Sequence, residues 1–451
     1  MSSMFDKEKK ICLVGIGGIS MSALAIALAH RGFRVYGSDR SESDTTRMLA
    51  SRGIPVVIGH KGETVEGAGC VVCTAAVHDD NPELRRASEL GIPIYRRSEA
   101  WGELMRECRE VVCVCGCHGK STTTALCTHI ALEAGIDASV MIGANLPLIG
   151  GTVRCGGKDL FIAETCEYCD SFLDFPPTVA VVNNIEEDHL DYFKDLDAIK
   201  ASFARFVSKV PAHGAVVANH DDANTVEVVE KCGKRIVWFG LHEGDVHAET
   251  LSDEQGYYSF ELVTPAWRRS VKLRIPGIYN VYNALASAAA SYVLGVDPDA
   301  CVKGIEGFGG ISRRFELVGE YYGIPVIDDY AHHPTALRDV LRAVREMGYK
   351  RIVCVFQSHT YSRTWQLYED FIDALRLADV AVVADIYAAR EINTYGVSAE
   401  AMAKALPGGI YAGDFDGICD YLRDNVRAGD VILTVGAGDV YKVGQKLLGK
   451  N

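Results

Sequence analysis

Short apolar runs alternate with longer helical stretches from the N-terminus onward. ICLVG (Ile11–Gly15) reads as a buried strand, and SMSALAIALAHRG as a helix ending at Gly32. RVYGSD is a second strand, ending at Asp39. VVCTAA, a helix near Pro82–Leu90, and GIPIY follow. This alternation predicts a parallel α/β unit. The charged stretch ELMRECRE precedes the next apolar strand, VVCVC. It places a boundary near Arg106–Arg109 and gives a first unit of residues 1–107.

A second unit, residues 108–311, opens with strand, glycine loop and helix over Val111–Gly135. Strands are predicted at LFIAE, TVAVVNN and AVVAN, with a helix over Leu196–Ser208. Thr250–Ile275 has the pattern of antiparallel strands, and IYNVYNALASAAASYVLG that of a helix. GFGGISRR resembles a glycine-rich linker, with a boundary near Ile311. The third unit, 312–451, repeats the alternation through IPVID, a helix after Pro334, RIVCVF, VAVVADI and DVILTVG. The expected fold is α/β in three domains: Rossmann-like, a central ATPase-type domain with a phosphate loop, and Rossmann-like again.

Composition narrows the function classes. The net charge of −14 over 451 residues argues against a general nucleic-acid or anionic-membrane surface. The start, MSSMFDKEKK, lacks the features of a signal peptide, and no apolar run is long enough to cross a bilayer. Fifteen cysteines without export read as reduced thiols, so a cytoplasmic location is expected.

Two glycine loops sit between a strand and a helix. Gly15-Ile-Gly17-Gly18-Ile19-Ser20 nearly fits the dinucleotide fingerprint, with Ser20 in place of the third glycine. Asp39 ends the next strand, where an acid can hold ribose hydroxyls. The second loop, VCVCGCHGKSTTT, has Val114 where a strict phosphate loop has its first glycine. Gly116, Cys117, His118, Gly119, Lys120, Ser121 and Thr122 remain in the required context. There backbone N–H groups and the helix dipole cradle phosphate, lysine adds a charge, and the serine hydroxyl reaches Mg²⁺. A zinc site is the weaker reading, since Cys113 and Cys115 alternate on a strand and face the core. Cys117 lies in the loop itself, so alkylation is expected to inhibit and ATP to protect.

Polar clusters follow other strands. Glu164 and Glu167 lie past one strand, and Asn183, Asn184, Glu186, Glu187, Asp188, His189 and Asp191 past another. Acids beside a phosphate loop suit Mg²⁺, although Glu186 and Glu187 read as solvated loop residues. DDYAHHPT (Asp328–Thr335) and VFQSHTYSR (Val355–Arg363) occupy comparable edges in the third unit. Three such units suggest a multi-substrate enzyme working between domains.

These residues resemble the Mur ligase family along essentially the whole chain. GIGGISMSALA with GSD is similar to its uridine-nucleotide domain, and GCHGKSTTT to its GTHGKTTT. ETCEYCDSFL, NNIEEDHLD, YNVYNALA, RRFE, DDYAHHPT and VFQSHTYSRT resemble further family signatures in order. The resemblance implies ATP-dependent joining of L-alanine to the carboxylate of UDP-N-acetylmuramate through an acyl phosphate, in peptidoglycan synthesis. The implied partners are these substrates, ATP and Mg²⁺, with no nucleic acid or membrane, in a monomer or homodimer.

By the same resemblance, Lys120 contacts the β- and γ-phosphates, and Ser121 and Glu167 share one Mg²⁺. His189 holds a second, near the carboxylate. Asn280 and Asn283 line the ATP site, joined from the linker and third unit by Arg313 or Arg314 and by Asp329. His332, His359 and Arg363 face the muramyl group or the amino acid, and Gly15, Gly17, Gly18, Ile19, Ser20, Asp39 and Thr74 bind the UDP-sugar. The chain departs from the family at Cys117 for threonine, Cys166 and Cys169 for acids, Tyr279 for histidine and Thr360 for the arginine of many members. Competing readings are a recycling ligase that adds a murein tripeptide, an NAD-dependent oxidoreductase, and a nucleotide sensor without turnover.

Overall fold

The computed structural model describes residues 4–74, 77–78 and 80–450. Ala75 and Ala76 of the VVCTAA run lie outside them. In the first unit, β1 (Lys10–Val14), β2 (Arg34–Asp39), β3 (Val56–Ile58), β4 (Ala68–Cys73) and β5 (Ile94–Arg96) form a parallel sheet in the order β3-β2-β1-β4-β5. The order reverses between β1 and β4. The loops after these two strands therefore diverge and leave a crevice at the carboxyl edge.

The central sheet holds β6 (Glu110–Cys115), β7 (Ser139–Leu146), β8 (Gly151–Arg154), β9 (Leu160–Glu164), β10 (Val179–Val182), β11 (Ala215–Asn219), β12 (Ile236–Gly240), β13 (Val246–Glu254), β14 (Tyr257–Val263) and β15 (Arg268–Lys272). Their order is β15-β14-β13-β12-β11-β10-β6-β9-β7-β8. The strand β6, which carries the phosphate loop, lies between β9 and β10, and its side chains are buried from Val111 to Cys115. A strand covered on both faces reads as an unbroken apolar run, which is what VVCVC is. Cys113 and Cys115 are fully buried, as their alternation predicts. The antiparallel extension begins at Val246, slightly earlier than the sequence suggested.

The third sheet runs β16-β17-β20-β18-β19, from β16 (Glu316–Tyr321), β17 (Ile324–Asp329), β18 (Arg351–His359), β19 (Val380–Tyr387) and β20 (Asp430–Val435). Only β16 is antiparallel. Helices cover both faces of the parallel strands, as such sheets require.

The two seams between units differ in chemistry. One apolar core runs from the first unit into the central one, including Leu24, Trp101, Phe161 and Phe172. Trp101, on the helix Arg97–Met105, meets the Phe161 ring edge-on at 6.1 Å. Gly102 allows this approach, since a Cβ there would lie 2.2 Å from the Asp174 carbonyl oxygen. The third unit has separate cores. Around the site it meets the central unit mainly through polar side chains.

Candidate active site

Backbone geometry forms the phosphate loop. Gly116 and Gly119 have φ of 129° and 78°, conformations that favour glycine. A Cβ on Gly119 would also lie 2.4 Å from Asn283 Oδ1. The loop turns directly into the helix Lys120–Glu133. The segment after β10 holds it from outside: His118 N–H donates to Asn184 Oδ1 (2.8 Å), and the Cys117 thiol to the Glu186 carbonyl (3.3 Å).

Lys120 folds back over the loop. Its ammonium donates to the Gly116 and Cys117 carbonyls at 2.5 and 3.2 Å and lies 3.5 Å from Glu167. Burial disfavours its charge, but Glu167 above all outweighs this and holds the lysine protonated. Glu167 is 1% exposed, and neither oxygen accepts a hydrogen bond. Its nearest nitrogens, Lys120 Nζ and His189 Nε2 (3.9 Å), make no hydrogen bond to it. Such a buried carboxylate is costly unless something else satisfies it. Ser121 and Glu167, joined on one ion by resemblance, are not paired here. Ser121 donates to Glu164 Oε1 at 2.9 Å, while Glu167 lies with Lys120, Cys166 and His189. Glu164 ends β9, and Glu167 lies in the segment that follows it.

A polar chain ties the loop to the helix Ile278–Val293. Asn183 Nδ2 donates to Thr123 Oγ1 (3.1 Å), Thr123 donates to Asn283 Oδ1 (3.1 Å), and Asn283 donates to Asn280 Oδ1 (3.0 Å). The i, i+3 spacing puts both asparagines on one helix face. They line a cavity of about 500 Å³ between the central and third units. His118, Lys120, Thr122, Glu164, Cys166 and His189 line it from the central side, and Arg314, Asp329 and His332 from the other.

The third unit sorts its predicted residues. Asp329 accepts from the N–H groups of Phe315 and Ala331, at 2.8 and 2.7 Å, and so fixes the linker that presents Arg314. Burial pushes its pKa up. Arg313 does not line the cavity. It pairs with Asp328 (3.2 Å), donates to the Gly436 carbonyl, and lies between the rings of Tyr330 and Tyr441. His332 is bonded through Nδ1 to the Tyr330 carbonyl, and burial holds its pKa well below the usual histidine range. His359 stacks on Tyr387 and stands 3.4 Å from Arg363. Arg363 reaches Asp188 of the central unit at 2.7 Å, so its guanidinium is committed to an ion pair across the seam. Thr360, at φ 67°, caps the short helix Tyr361–Gln366 by accepting from the Arg363 N–H.

Glu186 is not the solvated residue its acidic surroundings suggested. It accepts from Thr335 of the third unit at 2.9 Å and lies 3.4 Å from His118 and 3.8 Å from His333. Burial opposes its charge, but these partners hold its pKa down at about 2. Glu187 is exposed, as expected, while its carbonyl bonds His333 Nε2 at 3.2 Å. Cys117 is also corrected as a reactive thiol: it is buried, and burial first, then Glu167 and Asp188, push its pKa well above the usual value.

The N-terminal residues gather elsewhere. Gly15, Gly17, Gly18, Ile19 and Ser20 follow β1, Asp39 ends β2 and Thr74 follows β4, at the carboxyl edge of the first sheet, and none of them lines this cavity. Asp39 accepts from the Gly17 N–H at 2.8 Å and braces the loop, and a Cβ on Gly15 would lie 3.0 Å from the Thr74 methyl.

Comparison with known proteins adds to this geometry. Profiles described as "Mur ligase family, catalytic domain", "Mur ligase middle domain" and "Mur ligase, glutamate ligase domain" match residues 10–109, 114–291 and 313–438. The chain belongs to the Mur ligase family. It is 45% identical to the UDP-N-acetylmuramate–L-alanine ligase of Caldanaerobacter subterraneus subsp. tengcongensis, over 99% of this chain and 98% of that protein. It is equally identical to the corresponding ligase of Acetivibrio thermocellus, over 98% and 96%. Among solved structures, the Thermotoga maritima UDP-N-acetylmuramate-alanine ligase superposes with a TM-score of 0.82 at 29% identity, over 98% and 99% of the two chains. A murein peptide ligase from Psychrobacter arcticus shares the Mur fold at TM-score 0.74 and 24% identity. The three-domain α/β architecture is thus that of the Mur ligases. Among the described residues, no helix is long and apolar enough to cross a membrane.

Proposed function

We propose that this Mur ligase joins L-alanine to the muramyl carboxylate of UDP-N-acetylmuramate at the expense of ATP. The observation that carries the reading is Lys120, set beside the buried Glu167 carboxylate that accepts no hydrogen bond, and lining one cavity together with the third unit's His332. These groups fit nucleotide and cation. A hard divalent ion prefers oxygen ligands shared with phosphate, and Ser121, Glu164 and Glu167 provide them, with His189 as a further donor. When bound, Mg²⁺·ATP supplies the phosphoryl group and neutralises charge as the carboxylate becomes an acyl phosphate.

The chain's own residues do the rest. The start of the helix at Lys120 presents N–H groups and one fixed ammonium to the phosphates, while the Cys117 and His118 N–H groups are held by Asn184. Asn280 and Asn283 shape the nucleotide wall from their helix, and Arg314 adds a cation from the linker. His332, held neutral by burial, lines the cavity where the attacking amine would sit. The seam of Asp188, Glu186, Thr335 and Arg363 holds the third unit over the cavity and excludes water from the acyl phosphate. The first unit holds the UDP end through the loop at Gly15–Ser20, with Asp39 and Thr74.

The test is phosphate release with ATP, Mg²⁺ and UDP-N-acetylmuramate, comparing L-alanine, glycine, L-serine and the murein tripeptide. Release with L-alanine supports the reading, while release with the tripeptide alone reassigns the chain to recycling.

A further inference from the structure

Two side-chain clusters among the described residues have metal-ligand composition. The first, His118, Glu186 and His333, is already satisfied, since Glu186 accepts from Thr335 and His333 is bonded to the Glu187 carbonyl. The second is Cys166, Glu167 and His189, whose Sγ, carboxylate oxygen and ring nitrogen all lie within 4.8 Å of one another.

Here the buried Glu167 accepts no hydrogen bond at either oxygen, and Glu167 Oε1 stands 3.9 Å from His189 Nε2. A tetrahedral ion with bonds of about 2.0–2.3 Å sets its ligands roughly 3.3–3.8 Å apart. Atoms that lie within 4.8 Å of one another would have to draw together by roughly 1 Å to reach that size. Cys166 and His189 line the cavity, so an ion can enter and a fourth position stays open to it. Tyr168 packs against the His189 ring at 4.8 Å and limits its rotation.

Cys166 changes the chemistry. An all-oxygen site suits magnesium, whereas thiolate with imidazole and carboxylate selects zinc-like ions. We propose that Cys166, Glu167 and His189 form a site for a borderline-soft divalent transition-metal ion, with zinc as the probe and Cys166 bound as thiolate. Coordination breaks the S–H bond and forms the S–metal bond, and the proton leaves to solvent. Because Glu167 and His189 are shared, such an ion competes with the magnesium arrangement. Metal binding itself is independent of which amino acid the chain ligates.

The test uses the full, metal-free chain with Co²⁺ alone, without nucleotide or sugar, so it does not depend on the ligase reading. The expected result is a near-ultraviolet sulfur-to-cobalt charge-transfer band. Zinc should displace it, Cys166→Ser should lack it, and Cys169→Ser and Cys117→Ser should keep it. Zinc binding should weaken at least about tenfold in Cys166→Ser. No band in the wild type, or an unchanged band in Cys166→Ser, overturns the site. Should Cys166→Ser fail to fold, peptide mapping of the alkylated wild type decides. Zinc but not magnesium should shield Cys166, and equal labelling with and without zinc refutes the proposal.

Discussion

Lys120 illustrates how one residue combines charge and position. Its ammonium is fixed by two loop carbonyls and by the Glu167 carboxylate rather than left to solvent. Lys120→Ala is expected to lower phosphate release by at least about 10²-fold, the scale of losing one preorganised electrostatic contact. UDP-N-acetylmuramate binding, measured by calorimetry, should persist, because its loop lies in the first unit. Wild-type turnover in that variant would refute the role. Cys117 gives a second residue-scale outcome. Thiolate is the reactive form, and this thiol is buried with a raised pKa. Mass spectrometry after brief alkylation of the native protein should find Cys117 intact.

At the scale of elements, the strand β6, its loop and two helices act as a unit. Gly119 is the point where they touch, since its φ of 78° and the nearby Asn283 side chain both exclude a Cβ. Gly119→Ala should therefore shift the loop against the helix Ile278–Val293 and break the Thr123–Asn283 bond. A melting temperature several degrees lower, together with lost ADP binding, is the expected pair of results. The cost is of the size of a strained backbone position, about 1–3 kcal/mol. Unchanged nucleotide binding would mean that the loop tolerates the shift.

At the scale of the whole molecule, the first two units share an apolar core, while polar side chains join the third unit to the central one around the cavity. Arg363 and Asp188 form the buried pair in that polar seam, and removing one partner strands the other, at about 3–5 kcal/mol. Arg363→Ala should lower turnover and speed proteolysis between the units. The double variant Arg363→Ala/Asp188→Asn should lose less than the two single changes combined. Simple additivity would argue against coupling across the seam. The same seam is acid-sensitive. Burial lowers the His333 pKa to about 4, below its unfolded value, so the unfolded chain binds more protons between these values. Stability is therefore complete above about pH 6.5 and falls as pH drops toward 4. Thermal unfolding from pH 7.5 to 5 should show this slope, and His333→Gln should flatten it.

Strand runs such as VVCVC and AVVAN, and the helix over Leu196–Ser208, were legible because burial on both faces or on one stripe leaves a pattern in adjacent residues. The phosphate loop was legible for a similar reason, since glycine is needed wherever φ is positive or another backbone comes close. The partners of Glu186, the commitment of Arg313 to Asp328, and the separation of Ser121 from Glu167 left no such trace. Each depends on contacts between residues far apart in the chain, or on which way a turn points a side chain. The sequence by itself determined the α/β class, the phosphate loop and the family. Only the tertiary structure decided which acids pair, which cations face the cavity and which carboxylate is buried without a hydrogen bond, because those follow from packing between units rather than from periodicity within them.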